Sequence, residues 1–171
     1  EVVLEAIRVD VITLQAVQNY GSVLQALATQ KILEKHGCEV TIINYIREDI
    51  KPRNTIKDRS GGNPIKEIIL LPTAYRWRKV FTKFINKHLN LSEKLYTSEE
   101  DFKQYPLTAD AYCTGSDQVW NSKWNKGVLP CLYLSFVPES CYKFSFAASF
   151  GKNRLSDDEV LATKKYMQQY N

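Results

Sequence analysis

Residues 109–121 read Ala-Asp-Ala-Tyr-Cys-Thr-Gly-Ser-Asp-Gln-Val-Trp-Asn, a short apolar run that ends in a glycine and a cluster of hydrogen-bonding side chains. The mostly apolar run from Ala111 to Thr114 is typical of a central strand that is covered on both faces. Gly115 lets the backbone turn, and donors and acceptors follow at once: Ser116, Asp117, Gln118 and Asn121. Because open α/β sheets bind ligands at the carboxyl ends of their strands, this stretch predicts a strand that leads into a site.

The same residues also suit an ordinary turn, since Gly, Ser and Asp are common in turns. Trp120 offers a large flat surface that could stack on a sugar or, alternatively, pin the loop to the core. The residues alone leave both interpretations open.

A βαβ unit is predicted before this stretch. Val9–Leu14 is an apolar run, a helical stripe from Tyr20 to Lys35 ends at Gly37, and a second apolar run begins at Val40. A right-handed crossover makes such strands parallel. We therefore expect a three-layer, Rossmann-like α/β fold with a mainly parallel sheet, whose interior strands lie near residues 9–14, 40–44 and 111–114.

The turn from Asn19 to Ser22 precedes the predicted helix, where free N–H groups and the helix dipole favour a phosphate or a carboxylate. The alternative is that Gly21 only permits close packing of the helix on the strand. Neither of the common glycine-rich phosphate-binding motifs occurs in the chain.

The remaining segments are predicted from the positions of proline, glycine and helix-capping residues and from the periodicity of apolar side chains. Residues 47–63 are polar, contain Pro52 and two glycines, and indicate a mobile loop. A short helix is predicted over 64–71, stopping near Pro72, and an amphipathic basic helix over 75–89. A helical turn capped by Thr97-Ser98-Glu99-Glu100 is predicted to reach Gln104, and a last helix to be capped by Ser156. Residues 132–137 and 142–148 are predicted to be strands or extended segments.

The 171 residues suffice for one substantial core, so residues 1–171 are expected to form a single domain. We find no signal-peptide pattern and no apolar run long enough to span a bilayer, and we expect a cytoplasmic location. The four cysteines lack a C-x-x-C pair, so reduced, core-filling thiols are expected rather than metal ligands. Neither a metal nor a cofactor is predicted.

The net charge of +4 is unevenly distributed. Residues 47–94 contain twelve Lys or Arg and five Asp or Glu, and the rest of the chain sums to −3. Such a region attracts an anionic substrate, the inner face of a membrane or nucleic acid, unless it is simply a solvated helix face. No nucleic-acid-binding signature accompanies the charge, so nucleic acid is not an expected partner.

Three ordered motifs carry a resemblance to a known family. They are the turn and helix start at residues 19–28, the Asp110-Ala111 and Gly-Ser-Asp-Gln-Val-Trp-Asn block that ends at Asn121, and Ala-Ala-Ser-Phe-Gly-Lys at residues 147–152. Together they resemble the polysaccharide pyruvyl transferase family.

The resemblance implies transfer of pyruvate from phosphoenolpyruvate onto a pair of sugar hydroxyls, which forms a ketal on a cell-surface polysaccharide or its lipid-linked precursor. It also implies a two-lobed fold similar to GT-B glycosyltransferases, of which this chain resembles the N-terminal lobe. The catalytic Arg and His motifs of the family are expected in a C-terminal lobe beyond Asn171, so we expect the chain alone to be inactive. Neither His36 nor His88 lies in a predicted site loop.

Two other functions stay open at this point: a non-catalytic module that binds a sugar or an anion, and half of a nucleotide-sugar glycosyltransferase. Asp117 could be a base or could only hydrogen-bond an acceptor hydroxyl. We predict that three loops gather along one sheet edge and bind the acceptor through Asn19, Tyr20, Gly21, Ser22, Gly115, Ser116, Asp117, Gln118, Trp120, Ser149, Gly151 and Lys152.

Overall fold

The computed structural model describes residues 5–171, apart from the side chain of Pro52. In that part of the chain a four-stranded, all-parallel sheet has the order β2-β1-β3-β4. The strands are β1 (Ile7–Ile12), β2 (Cys38–Ile42), β3 (Ala111–Thr114) and β4 (Tyr142–Ser145). The helices are α1 (Tyr20–Lys35), α2 (Pro52–Ser60), α3 (Pro64–His88), α4 (Glu99–Gln104), α5 (Ser122–Asn125) and α6 (Asp157–Met167), with 3-10 turns at Glu48–Ile50 and Pro130–Tyr133.

The parallel sheet and the βαβ unit confirm the predicted fold class. The prediction that the strand near residues 40–44 is an interior strand is wrong, because β2 lies at an edge of the sheet. Val9 lies between Val40 of β2 and Ala111 of β3 in the ladder, and all four residues of β3 are buried, as expected for a strand that is covered on both faces. β1 and β2 each begin and end about two residues before the predicted bounds. The last paired residue is Ile12 in β1 and Ile42 in β2.

Helix α1 begins and ends where the sequence predicts. The Asn19 side chain accepts a hydrogen bond from the Gly21 N–H at 2.7 Å, and Gly37 has a φ of +85° just after the helix. The buried stripe differs from the prediction, because Leu24 and Ile32 are exposed whereas Thr29 and Gln30 are buried. Gln30 is buried because its Oε1 accepts from the Asn90 N–H at 2.9 Å.

The predicted mobile loop at residues 47–63 is wrong, because most of that segment is the 3-10 turn and α2. Arg47 is almost fully buried and pairs with Asp49 at 2.7 Å, and it donates to the Trp124 carbonyl oxygen at 3.1 Å. Ile56 of α2 is buried as well. A long-range anchor of this kind leaves no periodic pattern in the sequence.

The two predicted helices at 64–71 and 75–89 form one 25-residue helix, α3, with Pro72 in its interior. An interior proline costs a helix about 3 kcal/mol. Pro72 is exposed, so water can solvate the Ile68 carbonyl that loses its partner. On the opposite side α3 packs against α2, where Ser60 Oγ donates to Glu67 Oε1 at 3.2 Å.

Three smaller predictions are corrected. Residues 132–137 form no strand, because the Leu132 carbonyl oxygen accepts from the side chains of Thr114 (3.1 Å) and Trp120 (2.9 Å) instead of from a neighbouring strand. β4 ends at Ser145 rather than at residue 148. The capping box of α4 joins Ser98 to Asp101, one residue later than predicted. The last helix, capped by Ser156, is confirmed.

Candidate functional site

Three loops meet at the carboxyl edge of the sheet, and Asp117 is the residue that joins them. Ser22 Oγ, at the start of α1, donates to Asp117 Oδ2 at 2.8 Å. The Ser149 N–H, after β4, donates to the Asp117 carbonyl oxygen at 3.0 Å, and Asp117 forms an isolated parallel bridge with Ala148. The predicted convergence of the three loops is therefore confirmed.

Asp117 has a φ of +90°, which an L-residue rarely adopts. Its Oδ1 accepts from the N–H of Gln118 at 2.7 Å, and this local bond helps to hold the unusual backbone. Ala147, one residue before the bridge partner, has a φ of 52°. Such conformations cost about 1–3 kcal/mol each and cluster at functional sites, so two of them on facing loops favour a functional role for this edge.

Gly115 brings β3 close to β1. A Cβ at this position would lie 3.0 Å from Val11 Cγ1 and 3.2 Å from Thr13 Cβ. Thr13 Oγ1 in turn donates to the Ser116 carbonyl oxygen at 3.0 Å and accepts from Gln25 Nε2 at 2.9 Å. The backbone of Ser116 is thus fixed by β1 and α1, and the glycine is needed for that approach.

The third loop packs on Gln118. Its Oε1 accepts from Asn121 Nδ2 at 2.7 Å, and a Cβ on Gly151, which has a φ of +62°, would collide with both side chains. Gly151 is favoured by its backbone conformation, and any other residue here would also have to displace the ends of the Gln118 and Asn121 side chains. These contacts pack the Gly-Ser-Asp-Gln block against the Ser-Phe-Gly-Lys block.

Lys152 is paired with other side chains of the protein. Its Nζ forms an ion pair with Glu159, and it donates to Ser122 Oγ at 2.9 Å. The hydrogen bond from Lys152, followed by those from Ser122 and Ser156, lowers the pKa of Glu159 to about 2. The charge of Lys152 is therefore balanced by Glu159, and the lysine ties the third loop to α6.

Trp120 belongs to the core. It is 7% exposed, its ring stacks on Tyr133 with centroids 5.6 Å apart and contacts Phe150 at 5.3 Å, and its Nε1 donates to the Leu132 carbonyl oxygen. Of the two interpretations left open by the sequence, the structure supports the one in which this ring pins the loop. The ring faces are covered, so no sugar stacks on Trp120 in this conformation.

A cavity of about 520 Å³ opens beside Asp117. Of the predicted residues, Asn19, Ser22, Asp117 and Gln118 line it. Tyr20 instead packs against Trp77 and Phe81 of α3, with ring centroids 5.9 and 5.1 Å away. The predicted set therefore divides into residues that face the cavity and residues that support the loops, the latter being Gly21, Gly115, Ser116, Trp120, Ser149, Gly151 and Lys152.

Ten further residues line the cavity, and four of them, which carry a cation or an aromatic ring, were missed from the sequence: Arg47, Arg59, Trp124 and Lys126. Trp124 is 68% exposed and is the aromatic ring that this cavity offers to a ligand. Lys126 pairs with Asp58 at 3.3 Å, while the guanidinium of Arg59 makes no hydrogen bond or ion pair with any residue that the structure describes. The two arginines were assigned to a loop, so only the density of basic residues pointed to them.

The two histidines, which are exposed, and the buried Cys113 thiol do not line this cavity. His36 caps the far end of α1, His88 ends α3, and burial raises the pKa of the Cys113 thiol to about 12. Cys38, Cys113, Cys131 and Cys141 form no disulfide in the described structure. Among residues 5–171 no group of three or more His, Cys, Asp or Glu side chains is arranged to hold a metal ion.

Comparison with known families agrees with the loop geometry. The family model described as polysaccharide pyruvyl transferase matches residues 19–171, which is most of the chain and includes all three loops. The chain belongs to the polysaccharide pyruvyl transferase family. No curated protein and no solved structure matches it significantly. In the part of the chain that the structure describes, no helix of this family member combines the length and apolarity needed to cross a bilayer.

Proposed function

We propose that this chain is the acceptor-binding lobe of an enzyme that transfers pyruvate from phosphoenolpyruvate onto two hydroxyls of one sugar. The sugar belongs to a cell-surface polysaccharide or its precursor, and the lobe is the N-terminal one of a two-lobed, GT-B-like protein. In this reaction two C–O bonds form at C2 of phosphoenolpyruvate and the bond to phosphate breaks. One hydroxyl proton ends on the methylene carbon and the other on the departing phosphate, so no oxidant or reductant is required.

The observation that carries the proposal is that Asp117 and the exposed ring of Trp124 line the same cavity. A carboxylate has about four acceptor positions, and Ser22 and the Gln118 N–H occupy two of them. The others suit sugar hydroxyls, while the face of Trp124 suits the apolar face of a sugar ring. Arg59, with its free guanidinium, suits an anionic group on either substrate.

Phosphoenolpyruvate carries two anionic ends, and its reaction needs cations and a proton donor. Within residues 5–171 both histidines lie away from the cavity, and Arg47, Lys126 and Lys152 are already paired with carboxylates. For this reason we place the donor site and the proton donor mainly in the second lobe. The inner face of a membrane is the expected location for an enzyme that acts on a lipid-linked precursor.

The experiment compares Asp117→Asn, Trp124→Ala and the control Tyr142→Ala in the full-length protein, with steady-state kinetics for each substrate. Asn tolerates a positive φ, so Asp117→Asn changes the charge without the backbone cost of alanine. Tyr142 is an exposed aromatic on β4 that does not line the cavity.

We expect the first two variants to raise KM for the acceptor about tenfold or more, with KM for phosphoenolpyruvate nearly unchanged, and the control to behave as wild type. The reverse pattern would contradict an acceptor site here. We also expect no turnover by the 171-residue chain alone, and measurable turnover would place the complete active site within it.

A further inference from the structure

The outward side of α3 is apolar in its N-terminal half and basic in its C-terminal half. Helical spacing places a row of exposed residues on this side, and eight of them are here called the α3 outer face: Ile65, Ile68, Ile69, Tyr75, Arg76, Lys79, Lys83 and Lys87. The opposite side faces the protein, where Phe81 is buried and Leu70 and Ala74 are half-buried.

The apolar half is unusual for a protein surface. Ile65, Ile68 and Ile69 are 69%, 68% and 69% exposed, and Tyr75 is 70% exposed. Single exposed apolar residues are normal, but a contiguous group of large ones marks an interaction surface. Leu71 and Val80, 50% and 52% exposed, extend the apolar area along the flanks.

The basic half carries charge that the protein does not neutralise. Arg76, Lys79, Lys83 and Lys87 make no ion pair with any acidic residue in the described structure, and the surrounding region 47–94 has seven more basic than acidic residues. A surface of this kind attracts an anionic partner. Two copies of the chain would instead bring like charges together, which disfavours self-association through this face.

We propose that the α3 outer face binds the surface of an anionic lipid bilayer. The helix lies in the interface, with its isoleucines at the boundary between headgroups and acyl chains and its lysines against anionic headgroups. The apolar side chains project from a ridge, since residues on both flanks of the helix are exposed, and a fluid interface closes around a ridge where a folded partner would need a matching groove. This inference does not depend on the proposed catalytic activity.

Docking in this way would also fix the position of the candidate site. Tyr20, the first residue of α1, contacts the inner side of α3 through Trp77 and Phe81, and it adjoins Asn19 and Ser22 at the cavity. The cavity would then be held at a constant distance from the bilayer.

The test is flotation of the purified protein with vesicles of phosphatidylcholine alone or of phosphatidylcholine and phosphatidylglycerol at a ratio of about 7:3. Two double variants divide the face: Ile68→Ser with Ile69→Ser removes apolar contact, and Lys79→Gln with Lys83→Gln removes charge. The matched controls lie on α6, where Leu161, Lys164 and Lys165 are exposed: Leu161→Ser for the first variant and Lys164→Gln with Lys165→Gln for the second.

We expect binding to the anionic vesicles and little to the neutral ones. The isoleucine variant should bind about 10- to 100-fold more weakly, and the lysine variant about 30-fold more weakly and with less dependence on salt. The controls should bind as wild type. Equal binding to both vesicle types, no binding to either, or variants no weaker than their controls would overturn the proposal. So would a lipid-free oligomer, seen by light scattering, that the isoleucine variant dissociates, because a second copy would then cover the face.

Discussion

The carboxyl edge of the sheet and the α3 outer face use side chains in opposite ways. At the sheet edge Ser22, Asp117 and Gln118 all have protein partners, and the large ring of Trp120 is covered. On the outer face the isoleucines and lysines have none among the described residues. A surface that must present a few groups to a small ligand needs rigid support, whereas a surface that meets a fluid partner does not. The free energy of unfolding should therefore depend strongly on the first region and weakly on the second.

The largest effect is expected at Trp120. Trp120→Ala should lower the free energy of unfolding by about 3–5 kcal/mol, because it leaves a cavity beside Tyr133 and removes a buried hydrogen bond to Leu132. Trp124→Ala should change it by less than about 0.5 kcal/mol, because that ring is exposed. Urea unfolding measures both. Equal losses for the two tryptophans would mean that the site loop is not anchored as described.

A smaller effect is expected at Asp10 in β1, and it should depend on pH. Burial raises the pKa of Asp10 from 3.8 to about 6, although Arg8 acts in the opposite direction. The folded state therefore holds the proton more tightly than the unfolded state, and stability falls as pH rises from about 4 to about 6.

Asp10→Asn should raise the free energy of unfolding by about 2 kcal/mol at neutral pH. The gain should vanish well below pH 3.8, where the carboxyl is protonated in both states. Urea unfolding of both proteins across this range measures the difference, and a gain that is constant with pH would show that burial of the charge is not its cause.

Removing the Ser22 hydroxyl should have a moderate effect on stability. Ser22→Ala leaves Asp117 Oδ2 without the donor at 2.8 Å, and we expect a loss of about 1–2 kcal/mol. Ser22→Thr, which keeps the hydroxyl, serves as the comparison in thermal unfolding. If the alanine and threonine variants were equally stable, the bond between α1 and the site loop would contribute nothing.

The smallest effect is expected on α3. Ile68→Ser should alter the free energy of unfolding by no more than about 0.5 kcal/mol, because the side chain is already exposed to water and both residues have similar helix propensities. Phe81→Ala, on the buried side of the same helix, should cost several times as much. A large loss at Ile68 would indicate that the apolar half packs within the protein.

Much of the sheet could be predicted because its signals are local. Asn19 and Gly37 mark the ends of α1 within a few residues, and the apolar runs that become β1, β2 and β3 are short and bounded by polar residues. Parallel strands place their carboxyl ends together, so the convergence of the three loops followed from the topology.

The segment between β2 and β3 was harder to predict, because contacts between residues far apart in the sequence determine its structure. Arg47 becomes an anchor only when Trp124 and Asn125 come within reach, and the helix that contains Pro72 packs on α2, which is remote from the local signal of the proline. The different burial of Trp120 and Trp124 also depends on contacts that the local sequence does not reveal. Both tryptophans follow β3. Trp120, just before the short helix α5 (Ser122–Asn125), is buried in the core, whereas Trp124 within α5 is exposed. No local sequence pattern distinguishes the two positions.

The position of β1 at the centre of the sheet has a consequence for the order of folding. Its partner β2 follows after one helix, but its other partner, β3, arrives only after α2, α3 and α4. Closing the longer loop costs more chain entropy and slows the pairing. We expect amides of β2 to gain protection before those of β3 in pulsed hydrogen exchange during refolding. The site loop that follows β3 would then form late, and the turn at Asn19–Ser22 would be in place to receive it.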